Sequence, residues 1–280
     1  MAILDAPPRK SSPGPGAKAV RTVGELLITA GLVVLLFVVY ELYVTDIFSA
    51  QKQATASADL DHDWSQDPGR ELHPELIDGK AFAKLYIPSF GADYHFTIQE
   101  GTDAAALEVG PGHYKGTALP GEPGNFSIAG HRVGKGAPFN DLDLLNSCDA
   151  IVVETQTDFF VYRVLPHADE TANWASGKGK QPQCAKVGTL RTNAPDGGPY
   201  GQTTGREIVY PTQGDVVAPV PHHTTDVLAP AQQVALLTLT TCHPQFSDRQ
   251  RLIVHAVLTN QFPKTPGATY AQLLQAIGEA

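Results

Sequence analysis

The run LLITAGLVVLLFVVYELYV at residues 26–44, interrupted only by Glu41 and preceded by Glu25, divides this chain before any fold is considered. A bilayer span needs about 20 apolar residues, whereas the core of a cleaved signal peptide runs about 7 to 15 and ends at a small-residue cleavage site. Ser49-Ala50-Gln51 matches such a site poorly, so the run predicts an uncleaved transmembrane helix over residues 23–44. Arg9, Lys10, Lys18 and Arg21 precede it, which by the positive-inside rule leaves the N-terminus in the cytoplasm and everything after Thr45 outside. Residues 1–22 are rich in Pro, Gly, Ser and basic side chains without periodicity and read as a disordered cytoplasmic tail. Residues 45–80 are polar and read as an extracellular stalk.

From Ala81 onward helix-period apolar patterns are scarce, and short alternating runs recur between Gly- and Pro-rich turns, the signature of an all-β domain. Strands are expected at 81–87 and 92–98, joined by the Pro88-Ser89-Phe90-Gly91 turn, then at 125–129, and at 150–154 and 159–165 as a hairpin. A short helix is expected at 102–109 and a helical turn at 139–145. Residues 166–233 read as a long insertion in which only 207–210 and 215–220 look strand-like. A last pair of strands, 234–241 and 251–258, completes a domain spanning 81–260. Residues 261–280 form a C-terminal tail with a short amphipathic helix at 266–277. A net charge of −9, with no dense basic run, excludes a nucleic-acid partner.

Within the last strand pair, Leu237 and Leu239 alternate with Thr238 and Thr240, and Cys242 falls on the threonine parity. The thiol therefore points away from the apolar core, unlike a cysteine that merely fills space. Of the other two cysteines, Cys148 precedes a strand and Cys184 lies in the insertion; a bridge between them would leave Cys242 unpaired, although spacing alone leaves that pairing open. A free thiol has a pKa of about 8.5 and becomes an effective nucleophile beside a base or a cation. His131, off the apolar face at the end of the 125–129 strand, and Arg251, opening the final strand, supply both, with Arg249 an alternative on spacing. Acyl transfer would use Cys242 as nucleophile, His131 as general acid and base, and Arg251 to hold the substrate carbonyl and the oxyanion.

Leu239-Thr240-Thr241-Cys242, with Arg251 followed by Leu252-Ile253-Val254, resembles the nucleophile strand and the arginine-led strand of the sortases, membrane-anchored cysteine transpeptidases of Gram-positive bacteria. Residues 124–132 (GNFSIAGHR) are similar to the segment carrying that family's histidine, and residues 110–114 (GPGHY) to the loop before it. The resemblance covers about 81–258 and selects Arg251 over Arg249. It implies an eight-stranded β-barrel with short helices behind one transmembrane helix. It also implies cleavage of a Leu-Pro-x-Thr-Gly type signal between Thr and Gly, with surface proteins and a peptidoglycan precursor amine as partners. Cys242-His243-Pro244 and the His131-Arg132 pair look most like the class E sortases of actinobacteria, which accept Leu-Ala-x-Thr-Gly. Residues 166–233 correspond to the loop between the family's sixth and seventh strands, which walls the substrate groove, and are longer than expected there.

Other readings are a cysteine hydrolase using water and a tethered binding module in which Cys242 is structural. Zinc binding by Cys242, His243 and His255 is disfavoured because adjacent ligands rarely suit one tetrahedral site. No cofactor or metal is expected, no calcium-loop spacing of acidic residues is present, and Trp64, Trp174 and His222-His223 receive no functional assignment.

Overall fold

The computed structural model describes residues 14–40, 44–66, 76–225, 227–265 and 268–279. It divides into two compact units, 1–44 and 45–280. In the first, helix α1 (Pro15–Val39) begins with a proline at its first turn, where the backbone N–H groups have no intrahelical partner to lose. Lys18–Val39 is long and apolar enough to cross a membrane, and none of it is buried in protein. Residues 15–22, read from the sequence as disordered tail, are therefore helical; residues 1–13 lie outside the described residues.

The second unit holds strands β1 (Ala81–Tyr86), β2 (His95–Glu100), β3 (Gly112–His113), β4 (Gly124–Ala129), β5 (Ala150–Glu154), β6 (Asp158–Val164), β7 (Arg206–Val209), β8 (Ala235–His243) and β9 (Gln250–Pro263). Eight of them close a barrel in the order β6-β5-β1-β2-β3-β4-β8-β9, with β9 returning to β6 and β7 added on β9. The closing strand is long because it serves successive partners. Residues 251–254 pair with β7, and residues 256–263 pair with β6 along the same edge, while β8 lies on the other edge. The domain therefore runs past residue 260.

The barrel interior is filled by Leu85, Ile98, Phe126, Ile128, Tyr162, Leu237, Leu239 and Val254, so the alternation in β8 sorts its leucines inward. The threonine face is also covered: Thr238 is 0% and Thr240 3% exposed. The cover comes from the insertion. Asn125 Nδ2 donates to the Ala218 carbonyl at 3.1 Å and Ser127 Oγ to the Val217 carbonyl at 3.5 Å. Because these carbonyls accept from side chains rather than from a neighbouring strand, the segment expected as a strand at 215–220 is a tight 3₁₀ turn, Gly214–Val217. Elsewhere the insertion contributes β7 and several short 3₁₀ turns, and Trp174 and Val187 pack against the Cys148–Cys184 disulfide.

Helix α2 (Thr45–Gln66) occupies the first part of the expected stalk, of which residues 67–75 lie outside the described residues. It docks on the barrel through buried Leu60 and through Gln53, whose Oε1 accepts from Thr97 N at 2.9 Å and whose Nε2 donates to Val109 O at 2.7 Å. Its polar composition concealed this because one glutamine satisfying backbone groups does work that a hydrophobic stripe usually does. Helix α3 (Ala104–Val109) is capped by Asp103, which accepts from Ala105 N and Ala106 N. Helix α4 (Tyr270–Ile277) packs Tyr270, Leu273 and Ile277 on Val152 and Val161, and Arg163 pairs with Glu279 at 2.8 Å. The C-terminal segment is thus part of the domain rather than a tail.

Cross-linking residues 36 apart in sequence restricts the unfolded chain by about 4 kcal/mol in the loop-entropy model. A Cys148→Ser/Cys184→Ser variant is expected to lose about 8–16 °C in Tm by differential scanning calorimetry. A loss under 2 °C would show that the bridge does not constrain the insertion.

Candidate active site

β4 and β8 run parallel with Ala129 opposite Thr240, and the pairing continues past the end of β4. Gly130 N donates to Thr240 O at 3.0 Å, and Thr241 Oγ1 donates to Gly130 O at 2.8 Å. Gly130 fits because the Phe139 ring lies against it; a Cβ there would sit 2.6 Å from Phe139 Cδ2. One residue further, His131 emerges beside Cys242. The loop after His131 is tied down by Phe139 N donating to His131 O at 3.0 Å, by Tyr94 OH donating to Pro138 O, and by Gly136 N donating to Asp46 Oδ1 of α2 at 2.8 Å.

On the other edge of β8, Cys242 is directly opposite Arg251. The parity of β9 turns Leu252, Val254 and Ala256 inward, which puts Arg251 on the same outer face as the thiol. Cys242 is half-buried and is the free cysteine. It shares a pocket of about 300 Å³ with His131, Arg132, Val133, Ser247 and Asp248, whose rim is Phe246, 77% exposed. Two of the sequence-derived residues, Cys242 and His131, thus line one pocket. Arg251 neighbours Cys242 by register, but its guanidinium donates to the Asp248 carbonyl at 2.7 Å and the Gln250 carbonyl at 3.0 Å.

The Nε2 of His131 is buried and makes no hydrogen bond among the described residues. It is therefore available to exchange a proton with a bound substrate. Burial, aided by the cation of Lys135, holds the imidazole below its ordinary pKa, while Glu108 pulls it upward. The ring is accordingly neutral over more of the acidic range than a solvated histidine.

Arg132 was singled out in sequence only as part of the His-Arg pair, yet it organises the site. It is 5% exposed; Nη1 donates to His243 Nδ1 at 2.8 Å and to Cys242 O at 3.4 Å, and Nη2 meets Asp143 Oδ2 at 3.0 Å. It fixes the backbone of the thiol and makes His243 Nδ1 an acceptor, so the proton of that ring sits on Nε2. The signal in sequence was a charged residue directly after an apolar strand. His113, in the loop resembling the sortase one, is buried against Glu100 at 2.6 Å and shapes that loop. His255 faces Thr238 and Glu207, so Cys242, His243 and His255 do not gather into a zinc site.

The model of the sortase domain matches residues 85–259. Sortase SrtE1 of Streptomyces coelicolor is 30% identical over 269 residues, covering 92% of this chain and 62% of that protein. Sortase SrtE2 of the same organism is 38% identical over 172 residues, covering 56% of this chain and 66% of that protein. The chain thus spans less than two thirds of either relative's length. The structure of the SrtF sortase from Corynebacterium diphtheriae superposes with a TM-score of 0.61 at 47% identity, covering 74% of this chain and 97% of that one.

The lowered pKa of His131 has a measurable sign. Folding then releases a proton between that value and the ordinary histidine value of about 6.5, so this residue's contribution to stability falls as pH drops through the interval. In an NMR titration of the ring carbons, Lys135→Gln is expected to move the His131 midpoint up and Glu108→Gln to move it down. A wild-type midpoint above the ordinary value would contradict the burial argument.

Proposed function

This chain belongs to the sortase family of cysteine transpeptidases, and from that membership and the pocket shared by Cys242 and His131 we propose that it joins surface proteins to the cell wall. Cys242 gives its thiol proton to His131, and the thiolate attacks the carbonyl of Thr in a C-terminal Leu-Pro-x-Thr-Gly or Leu-Ala-x-Thr-Gly signal. His131 passes a proton to the departing Gly amine, leaving a thioester on Cys242. A peptidoglycan precursor amine then attacks the thioester, His131 takes its proton, and Cys242 leaves as thiolate. Arg251 turns its guanidinium from the Asp248 and Gln250 carbonyls to the substrate carbonyl and the oxyanion.

The single observation that carries this reading is the unpartnered, buried Nε2 of His131 in the pocket of the free thiol. The similarity to SrtE1 and SrtE2 supports class E behaviour and an alanine-containing signal. The uncovered apolar helix supports membrane anchoring through residues 26–44, with the N-terminus cytoplasmic. The Cys148–Cys184 disulfide supports an oxidising exterior for the catalytic domain.

With the purified full-length chain in detergent micelles, Cys242→Ala, His131→Ala and Arg251→Ala are each expected to lower turnover of a fluorogenic sorting peptide by at least about 10³-fold while far-UV circular dichroism stays unchanged. Turnover retained by Cys242→Ala would sink the mechanism. Among peptides differing only at the second signal position, the alanine form is expected to turn over faster than the proline form. Mass spectrometry of products with and without an added amine separates transfer from hydrolysis, and hydrolysis alone in both would favour a water-using enzyme.

A further inference from the structure

On the outer face of the barrel, Glu207 of β7, His255 of β9 and His222 of the insertion bring one ligand atom each within 4.8 Å of one another. Both Nε2 atoms lie 2.9 Å from the same carboxylate oxygen, Glu207 Oε1. The ring planes are inclined at 73°, as two imidazoles radiating from a common centre would be.

The hydrogen bonds around His255 decide which nitrogen carries its proton. Asn125 Nδ2 faces the Ala218 carbonyl at 3.1 Å, which turns Oδ1 toward Thr238. The Thr238 hydroxyl gives its one proton to that Oδ1 at 2.7 Å. It can therefore only accept from His255 Nδ1, 2.8 Å away. With Nδ1 protonated, His255, 0% exposed, reaches Glu207 Oε1 at 2.9 Å through Nε2, a contact that is attractive only with a positive charge there, either a second ring proton or a bound cation. His222 Nε2 is buried 2.9 Å from the same oxygen but lacks the alignment of a hydrogen bond. Two buried ring nitrogens and a carboxylate oxygen converge on one point, where a cation can take the place of the ring protons.

We propose that Glu207, His222 and His255 form a binding site for a first-row divalent cation of the zinc type. Two imidazoles, one carboxylate and an open fourth position suit such an ion, and the absence of an oxygen-rich shell disfavours calcium and magnesium. The Nδ1–H of His255 on Thr238, itself held by Asn125, is the outer hydrogen bond that orients a metal-binding imidazole. Zinc bonds of about 2.0 Å place ligand atoms about 3.3 Å apart, so the two 2.9 Å carboxylate-to-ring distances would lengthen by about 0.4 Å and the ring nitrogens, within 4.8 Å of one another, would close by up to about 1.5 Å. The role is structural. His255 is four residues along β9 from Arg251, about 13 Å at the rise of a strand, and the ion would pin residue 222 of the insertion to β7 and β9. That fixes the Gly214–Val217 turn over the outer face of β4 and β8, on which Cys242 also lies.

The test uses the full-length Cys242→Ala chain in detergent, so that the thiol cannot bind metal and activity is not the readout. After dialysis against chelator, Zn²⁺ is titrated by calorimetry and Co²⁺ by visible absorption. The expected result is one ion per chain, a Tm raised by about 5–10 °C at saturating Zn²⁺, and cobalt d–d bands of a four- or five-coordinate site. His222→Ala and Glu207→Gln should abolish the bands and the Tm rise. Thr238→Val should keep the stoichiometry and weaken affinity about 10- to 100-fold. Absence of binding to the parent chain, or binding that survives both His222→Ala and Glu207→Gln, would overturn the proposal and leave the cluster as a protonated histidine pair on a carboxylate.

Discussion

The antiparallel ladder between β8 and β9 is the constraint on which the rest of this structure depends. Its register, from Leu236 opposite Val257 to His243 opposite Gln250, sets three things at once. It sends Leu237, Leu239, Leu252 and Val254 into the barrel. It places Thr238 against His255 and Cys242 against Arg251 on the outer face. It also leaves the far half of β9 free to meet β6, which closes the barrel and removes its open edge. A slip of one residue would exchange the two faces, burying the thiol among leucines and exposing the apolar set.

The outer face of β4, β8 and β9 is an unusual surface for a small barrel because its polar side chains are buried. Asn125, Ser127, Thr238, Thr240 and His255 are each 3% exposed or less. Such groups are tolerated only when hydrogen-bonded, and here the insertion supplies the partners through its carbonyls and through Glu207 on β7. The insertion is thus the second wall of a polar layer. It is held from one side by the Cys148–Cys184 disulfide and from the other by the Glu207, His222 and His255 cluster. The pocket of Cys242 and His131 lies at the end of this layer, where the cover stops and Phe246 stands in solvent.

The site itself is assembled from the ends of strands. His131 and Arg132 follow β4, Cys242 lies near the end of β8, and Arg251 near the start of β9. Each side chain inherits its position from a backbone fixed by ladder bonds, while its direction is free of the barrel interior. Arg132 adds rigidity by linking the Cys242 carbonyl, the His243 ring and Asp143. The histidine loop is buttressed by α2, so a helix that looked like a tether in sequence supports the loop that carries His131.

Much of this was legible in the amino-acid order. Alternation identified β1, β4, β5, β6, β8 and β9, and strand parity separated Cys242 from the core, because a period of two is a local property of an extended chain. Length and hydropathy marked the apolar helix, and the motifs at 124–132 and 239–254 carried the family. Tertiary structure decided what depends on partners distant in sequence. The docking of α2 rests on Gln53 meeting Thr97 and Val109, and the packing of α4 on β5 and β6. The turn at 214–217 exists because Asn125 and Ser127 claim its carbonyls, and the face of Thr238 is polar yet buried because a remote segment covers it. The meeting of Glu207, His222 and His255 belongs to the same class. Local pattern determined which way each side chain points, and long-range closure determined what it meets, because the first is set by backbone geometry and the second by which surfaces the chain brings together.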